Sequence, residues 1–283
     1  MAVSLPNTTI AFIGPGTMAE AMITGLLREG VASPERIVAA GPRQQRLERL
    51  EKRYGICTTR DNAAAAAEAD VVVLSVKPQV LSKVLPELKG KIRPEALVLS
   101  IVAGATMERL SNGLQHPAVV RAMPNTPAQI GMGITVWTAA QAVSPAQRET
   151  ARGVLTALGD EIFMEDEVYL DMATALSGTG PAYVFLFMEA LVDAGVHLGF
   201  PRRVAEQLVV QTVKGSAAYY ERQQGEVHLA HLRNQVTSPG GTSASALYYL
   251  EKAGFRTAIS RAVWAAYERA LALAQNGKPQ PPK

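Results

Sequence analysis

"IAFIGPGTMAEA", residues 10–21, decides the fold. Four apolar residues run into Gly14, and a helical pattern opens after Gly16. The segment Gly14-Pro15-Gly16-Thr17-Met18-Ala19 has the G-x-G-x-x-A spacing of a dinucleotide-binding turn. Each small residue has a physical task. Gly14 permits the tight passage from strand to helix. Gly16 carries no side chain to block a pyrophosphate, and Ala19 lets the helix lie close to the sheet. The free N–H groups of the first turn, where Thr17 and Met18 stand, and the positive end of the helix dipole then suit a phosphate.

Outward from this turn, short apolar runs alternate with helical stretches. "RIVAA" (36–40), "DVVVLSV" (70–76), "LVLSIVA" (97–103), "AVVRAM" (118–123) and "GITVWT" (133–138) read as strands. "RQQRLERLEKRYG" (43–55) and "DNAAAAAEA" (61–69) read as crossover helices, since alanine is the best helix former. The pattern predicts an α/β domain over residues 1–165 with a mostly parallel sheet buried on both faces. Ligands of such sheets bind at the carboxyl ends of the strands. The end of the second strand carries Ala40, Gly41, Pro42 and Arg43 and no carboxylate to accept from a ribose hydroxyl. A guanidinium there favours a 2′-phosphate, hence NADP(H) over NAD(H), ahead of the plainer reading in which Arg43 starts a solvated helix. Three further strand ends point to the same crevice: "SVKPQ" with Val76, Lys77 and Pro78, "IVAG" with Ala103 and Gly104, and "MPNTPA" with Asn125.

After residue 165 no strand pattern remains. "PAYVFLFMEALVDAGVHLG" (181–199), "PRRVAEQLVVQTVKGSAAYYERQ" (201–223) and "FRTAISRAVWAAYERALALAQNG" (255–277) have helical length, the first two opened by proline. Residues 166–283 are expected to be all helical. Their apolar positions are too many for one thin layer, which predicts burial against a second copy. The tail "NGKPQPPK" reads as frayed.

Composition narrows the function. The chain has 283 residues, a formal net charge of +3 and no clustered Lys/Arg run, so no nucleic-acid footprint is expected. One cysteine, Cys57, excludes a disulfide framework within the chain and favours a reducing, cytoplasmic setting. His228 and His231 lack neighbours to complete a zinc set, so no metal is expected. No secretory leader is read in "MAVSLPNTT", and no apolar run is read as a membrane span.

"TSPGGTS", residues 237–243, breaks this helical half and is followed at once by a further helix. A bare turn needs only Pro-Gly. Two glycines before a helix offer uncovered N–H donors to an anion. The hydroxyls of Thr242 and Ser243 stand beside them, either as proton donors to a substrate or as helix caps.

Together, "IGPGTMA", "SVKPQ", "MPNTPA", "ALSGTGPAYVFLFMEALVDAGV", "LGFPRR" and "VTSPGGTSASALYYLE" resemble the pyrroline-5-carboxylate reductase family over nearly the whole chain. The last motif is the most specific. Some positions depart from the usual pattern: Pro15 in the first turn, Thr179 for Ser, Leu229 for Pro and Ser243 for Thr. The resemblance implies an N-terminal Rossmann domain, a helical dimerisation domain, a homodimer that in many members assembles to a decamer, and reduction of 1-pyrroline-5-carboxylate to proline with NAD(P)H, the last step of proline biosynthesis. It implies that Asn62, Pro42 and Arg43 lie by the adenosine ribose or its phosphate. Lys77, Pro78, Ala103, Gly104 and Asn125 then line the cofactor cleft. Glu226, Ser238, Gly240, Gly241, Thr242 and Ser243 hold the substrate, with Ser243, then Thr242, as the candidate proton donor. Two other readings stand beside it: a β-hydroxyacid dehydrogenase, which needs a lysine such as Lys214 or Lys252 in the helical domain, and a non-catalytic NADP-binding regulator.

Overall fold

The computed structural model describes residues 5–223 and 226–276. The predicted tail lies, apart from Asn276, outside the described residues. Eight strands form one sheet: β1 (Ile10–Ile13), β2 (Ile37–Ala40), β3 (Cys57–Thr59), β4 (Val71–Leu74), β5 (Leu97–Ser100), β6 (Val119–Met123), β7 (Gly133–Ala139) and β8 (Gly159–Phe163). The helices are α1 (Thr17–Arg28), α2 (Gln44–Tyr54), α3 (Asn62–Glu68), α4 (Pro78–Leu88), α5 (Met107–Leu114), α6 (Pro145–Thr156), α7 (Val168–Ala173), α8 (Gly180–His197), α9 (Arg202–Glu221), α10 (Leu229–Gln235), α11 (Thr242–Lys252) and α12 (Phe255–Asn276).

Strand order is β3-β2-β1-β4-β5-β6-β7-β8. Every pairing is parallel except β6 with β7. The order reverses between β1 and β4, where Ile13 pairs with both Ala40 and Leu74 and the three strands end level. That reversal opens the crevice in which doubly wound sheets hold ligands. Successive β1 side chains enter opposite faces. Ile10 and Phe12 join one apolar core, and Ala11 and Ile13 join the other. This is why the strand reads as a continuous apolar run instead of an alternating one.

Edge strands β3 and β8 were not read from the sequence. β3 is only Cys57-Thr58-Thr59. β8, "GDEIF", carries two acids and buries none of its residues fully. Helix α6 was also missed, although Ser144 and Gln147 form a capping box at its start. The strand ending in "IVAG" stops at Ser100, so Ala103 and Gly104 lie in the following turn.

The packing divides after Gly180. Met1–Gly180 with Ala265–Lys283 form one compact unit, and Pro181–Trp264 form the second. The boundary expected at residue 165 marks where strand-bearing sequence gives way to helical sequence. Pro181 is the second residue of α8, in its opening turn as expected. Helix continues from Val168 to His197 through a π-turn at Thr174–Gly178, where Thr179 N–H donates to the Thr174 carbonyl at 2.9 Å. By length and composition this run is apolar enough to cross a membrane, with a mean hydropathy of 1.3, a feature the sequence reading did not identify. Among the described residues of the second unit only Val192 and Ala205 are buried hydrophobics, whereas Phe185, Leu186, Leu208 and Trp264 are each about half exposed or more.

Candidate functional site

The glycine turn joins β1 to α1 at the crevice. Gly14 has φ +90°, and a Cβ there would meet Val76 Cγ1 at 2.5 Å and Val76 backbone at 3.0 Å. Only glycine fits both constraints. Around Gly16 the nearest atom to such a Cβ is 3.9 Å away, so its side is open. Gly16 is the N-cap of α1 and no side chain caps the helix, leaving the first-turn donors free for an anion. Ala19 is fully buried, as close packing of this helix on the sheet requires.

A cavity of about 380 Å³ opens over this turn. Gly14, Gly16, Pro42, Arg43, Val76 and Lys77, all expected at a cofactor site, line it together. Arg46 and Ser75 line it too, and neither was singled out from the sequence. Ser75 Oγ donates to the Ile13 and Gly14 carbonyls at 3.1 and 3.0 Å, which ties the end of β4 to the turn. Among the described residues, the ionisable ones on the cavity wall are the cations Arg43, Arg46 and Lys77. An open face at Gly16, an uncapped helix start and these cations fit the phosphates of a dinucleotide.

The other expected cofactor residues are placed differently. Thr17 is exposed, and Met18 packs against the core. Pro78 opens α4 after Lys77. Asn62 Nδ2 donates to Glu87 Oε2 at 2.8 Å, while its buried Oδ1 has no partner among the described residues. Gly104 packs on α12, where a Cβ would meet Leu273 at 2.9 Å. Asn125 is buried, and its Oδ1 accepts from Ile134 N–H at 3.0 Å.

Behind the turn, Glu20 is in contact with Arg46, Arg53 and Tyr54. Burial alone would raise its carboxyl. Hydrogen bonds from Arg46 and Tyr54, with the charges of Arg46 and Arg49, outweigh that and hold it below the ordinary carboxylate range.

The second unit carries "TSPGGTS". Gly240 is left-handed at φ +72°, and a Cβ on Gly241 would meet Ser238 Oγ at 2.7 Å. Gly241 is the N-cap of α11, and no side chain caps that helix. Ser243, half-buried in the first turn, is therefore not spent on capping. Thr242 and Glu226 are exposed. Thr237 Oγ1 donates to the Arg233 carbonyl at 2.6 Å, holding the break against α10. His228 Nδ1 accepts from Ala230 N–H at 3.1 Å, so that ring is a helix cap. Among the described residues no group of three or more His, Cys, Asp or Glu could hold a metal. Lys214 is exposed on α9, and Lys252 lies 5.8 Å from the Tyr248 ring centroid. The cofactor cavity and the "TSPGGTS" turn thus belong to different compact units.

Two sequence families match the chain. One described as pyrroline-5-carboxylate reductase dimerisation matches residues 167–273, and one described as NADP oxidoreductase, coenzyme F420-dependent, matches residues 9–104. The pyrroline-5-carboxylate reductase of Synechocystis sp. is 43% identical over 265 residues, covering 93% of this chain and 97% of that protein. Its namesake in Pseudomonas aeruginosa is 42% identical over 267 residues, covering 94% and 97%. In three dimensions the chain is similar to the Plasmodium falciparum pyrroline carboxylate reductase with NADP bound, with a TM-score of 0.88 at 30% identity over 96% of this chain and 100% of that one.

Proposed function

The chain belongs to the pyrroline-5-carboxylate reductase family, and on that premise we propose that it reduces the C=N bond of 1-pyrroline-5-carboxylate to give proline, the last step of proline biosynthesis. It is an oxidoreductase of the CH–NH class. The observation that carries this reading is the relatedness over nearly the full length of both chains, joined to an intact glycine turn over a cavity of about 380 Å³.

The N-terminal unit binds a pyridine nucleotide, and when bound the reduced nicotinamide supplies a hydride. The chain's residues do the rest. The uncapped start of α1 and Gly16 hold the pyrophosphate. Arg43, with no carboxylate at the end of β2, recognises a 2′-phosphate, so NADPH is preferred to NADH. Lys77 adds positive charge to the wall, and Asn62 with its unpartnered Oδ1 stands for the adenosine ribose. The substrate carboxylate takes the N–H donors behind Gly240 and Gly241, with Ser238 and Glu226 beside it. Hydride arrives at the imine carbon, C2 of the pyrroline ring and C5 of the proline formed, and N1 takes a proton. Ser243 hydrogen-bonds N1 and relays that proton, with Thr242 as the alternative hydroxyl.

The helical part, residues 166–283, dimerises and completes the substrate site, while residues 1–165 hold the nucleotide. Homo-oligomerisation follows from the dimerisation match. Five such dimers assemble as a decamer, in the cytoplasm and without membrane insertion of Val168–His197, because the dimer covers its apolar surface. Mixing the purified protein with NADPH and pyrroline-5-carboxylate and following nicotinamide absorbance tests the reading. Turnover is expected; activity on a 3-hydroxyacid with NADP instead would replace it.

A further inference from the structure

One side chain grips the glycine turn from behind. Arg46 on α2 donates from Nε to the Pro15 carbonyl at 2.9 Å and from Nη2 to the Gly16 carbonyl at 3.1 Å. The same Nη2 pairs with Glu20 Oε2 at 2.7 Å, the two side chains being only 18% and 15% exposed. Glu20 in turn accepts from Tyr54 Oη at 3.0 Å and Arg53 Nη1 at 3.1 Å. Thr24 Oγ1 donates to Tyr54 Oη at 3.0 Å. Among the described residues no hydrogen bond leaves Arg46 Nη1, and the side chain lines the nucleotide cavity.

A peptide unit is planar and trans, so its C=O and N–H point in opposite directions. Fixing the Gly16 carbonyl therefore fixes the direction of Thr17 N–H, the first free donor of α1. A guanidinium can hold two carbonyls and a carboxylate at once because its donors are set in a rigid fork; an ammonium cannot match that geometry. The contacts are all to backbone atoms and to Glu20, so none depends on the ribose end of the ligand.

We propose that Arg46, anchored by Glu20, is the positioning residue of the nucleotide site: it aims Thr17 N–H, the first free donor of α1, at the pyrophosphate and presents its remaining nitrogen to the same group. This rests on the reading of the cavity as a pyridine-nucleotide site. Since NADPH and NADH share the pyrophosphate, the role predicts an effect blind to the 2′-phosphate, unlike that of Arg43.

Fluorescence titration of the purified full-length chain tests it without turnover. Arg46→Gln is expected to weaken NADPH and NADH by the same factor, on the order of tenfold, as for loss of a charge-assisted hydrogen bond. Arg46→Lys is expected to stay impaired. Should Arg46→Gln unfold, Glu20→Gln keeps the cavity wall intact and is expected to weaken both nucleotides equally and less. The double variant is expected to bind no more weakly than Arg46→Gln alone. Unchanged binding in these variants, a loss confined to NADPH, or full recovery with lysine would overturn the proposal while leaving the nucleotide site standing. A wild-type chain that binds neither nucleotide would overturn the site itself.

Discussion

The tasks proposed for single side chains can be separated by substitution. Arg43 lines the cavity at the end of β2, where no acid competes for the ribose. Arg43→Ala should raise the dissociation constant of NADPH on the order of tenfold and leave that of NADH nearly unchanged, as titration of both nucleotides would read. Equal losses would remove 2′-phosphate recognition. Ser243 is free of capping duty because Gly241 occupies the N-cap without a side chain. Ser243→Ala should lower kcat on the order of 100-fold with an unaltered thermal midpoint, as expected of a lost proton relay. An unchanged kcat would pass that role to Thr242. The place of Arg43 on the cavity wall was legible because ligands of such sheets bind at the strand ends. Arg46 was not: in sequence it is one basic residue among many on α2, and its partners at Pro15, Gly16 and Glu20 lie about thirty residues away.

Among elements, β1, β2 and β4 could be read because strands covered on both faces are continuous apolar runs. β3 and β8 could not, since an edge strand has no such run; "CTT" and "GDEIF" are too short or too polar to stand out. The π-turn before Pro181 was equally hidden, because a proline after a glycine ordinarily reads as a helix start. The junction of α7 with the sheet depends on charge. Arg121 on β6, 3% exposed, pairs with Glu167 and with Asp171, itself 7% exposed. Glu167 also accepts from Met107 N–H at 2.7 Å, which draws in the start of α5. Arg121→Ala leaves a buried carboxylate without its cation and should cost about 3–5 kcal/mol of stability. Chemical denaturation measures it, and a loss under about 1 kcal/mol would show that the cluster is not a structural tie.

For the whole molecule, the contrast between the two units is the main physical fact. The first has apolar cores on both faces of its sheet, and the second, Pro181–Trp264, buries two hydrophobic residues among those described while exposing Phe185, Leu208 and many others. A helical unit of that kind is completed by a second copy, as its dimerisation family implies. Light scattering should find no monomer at micromolar concentration, and Phe185→Asp with Leu208→Asp should yield monomers of lower thermal stability; a stable wild-type monomer would contradict this. The reaction remains the central claim. Supplied with pyrroline-5-carboxylate and NADPH dideuterated at nicotinamide C4, the protein should form proline carrying deuterium at C5, read by mass spectrometry. Absence of proline at saturating substrate, or proline without deuterium, would contradict the account.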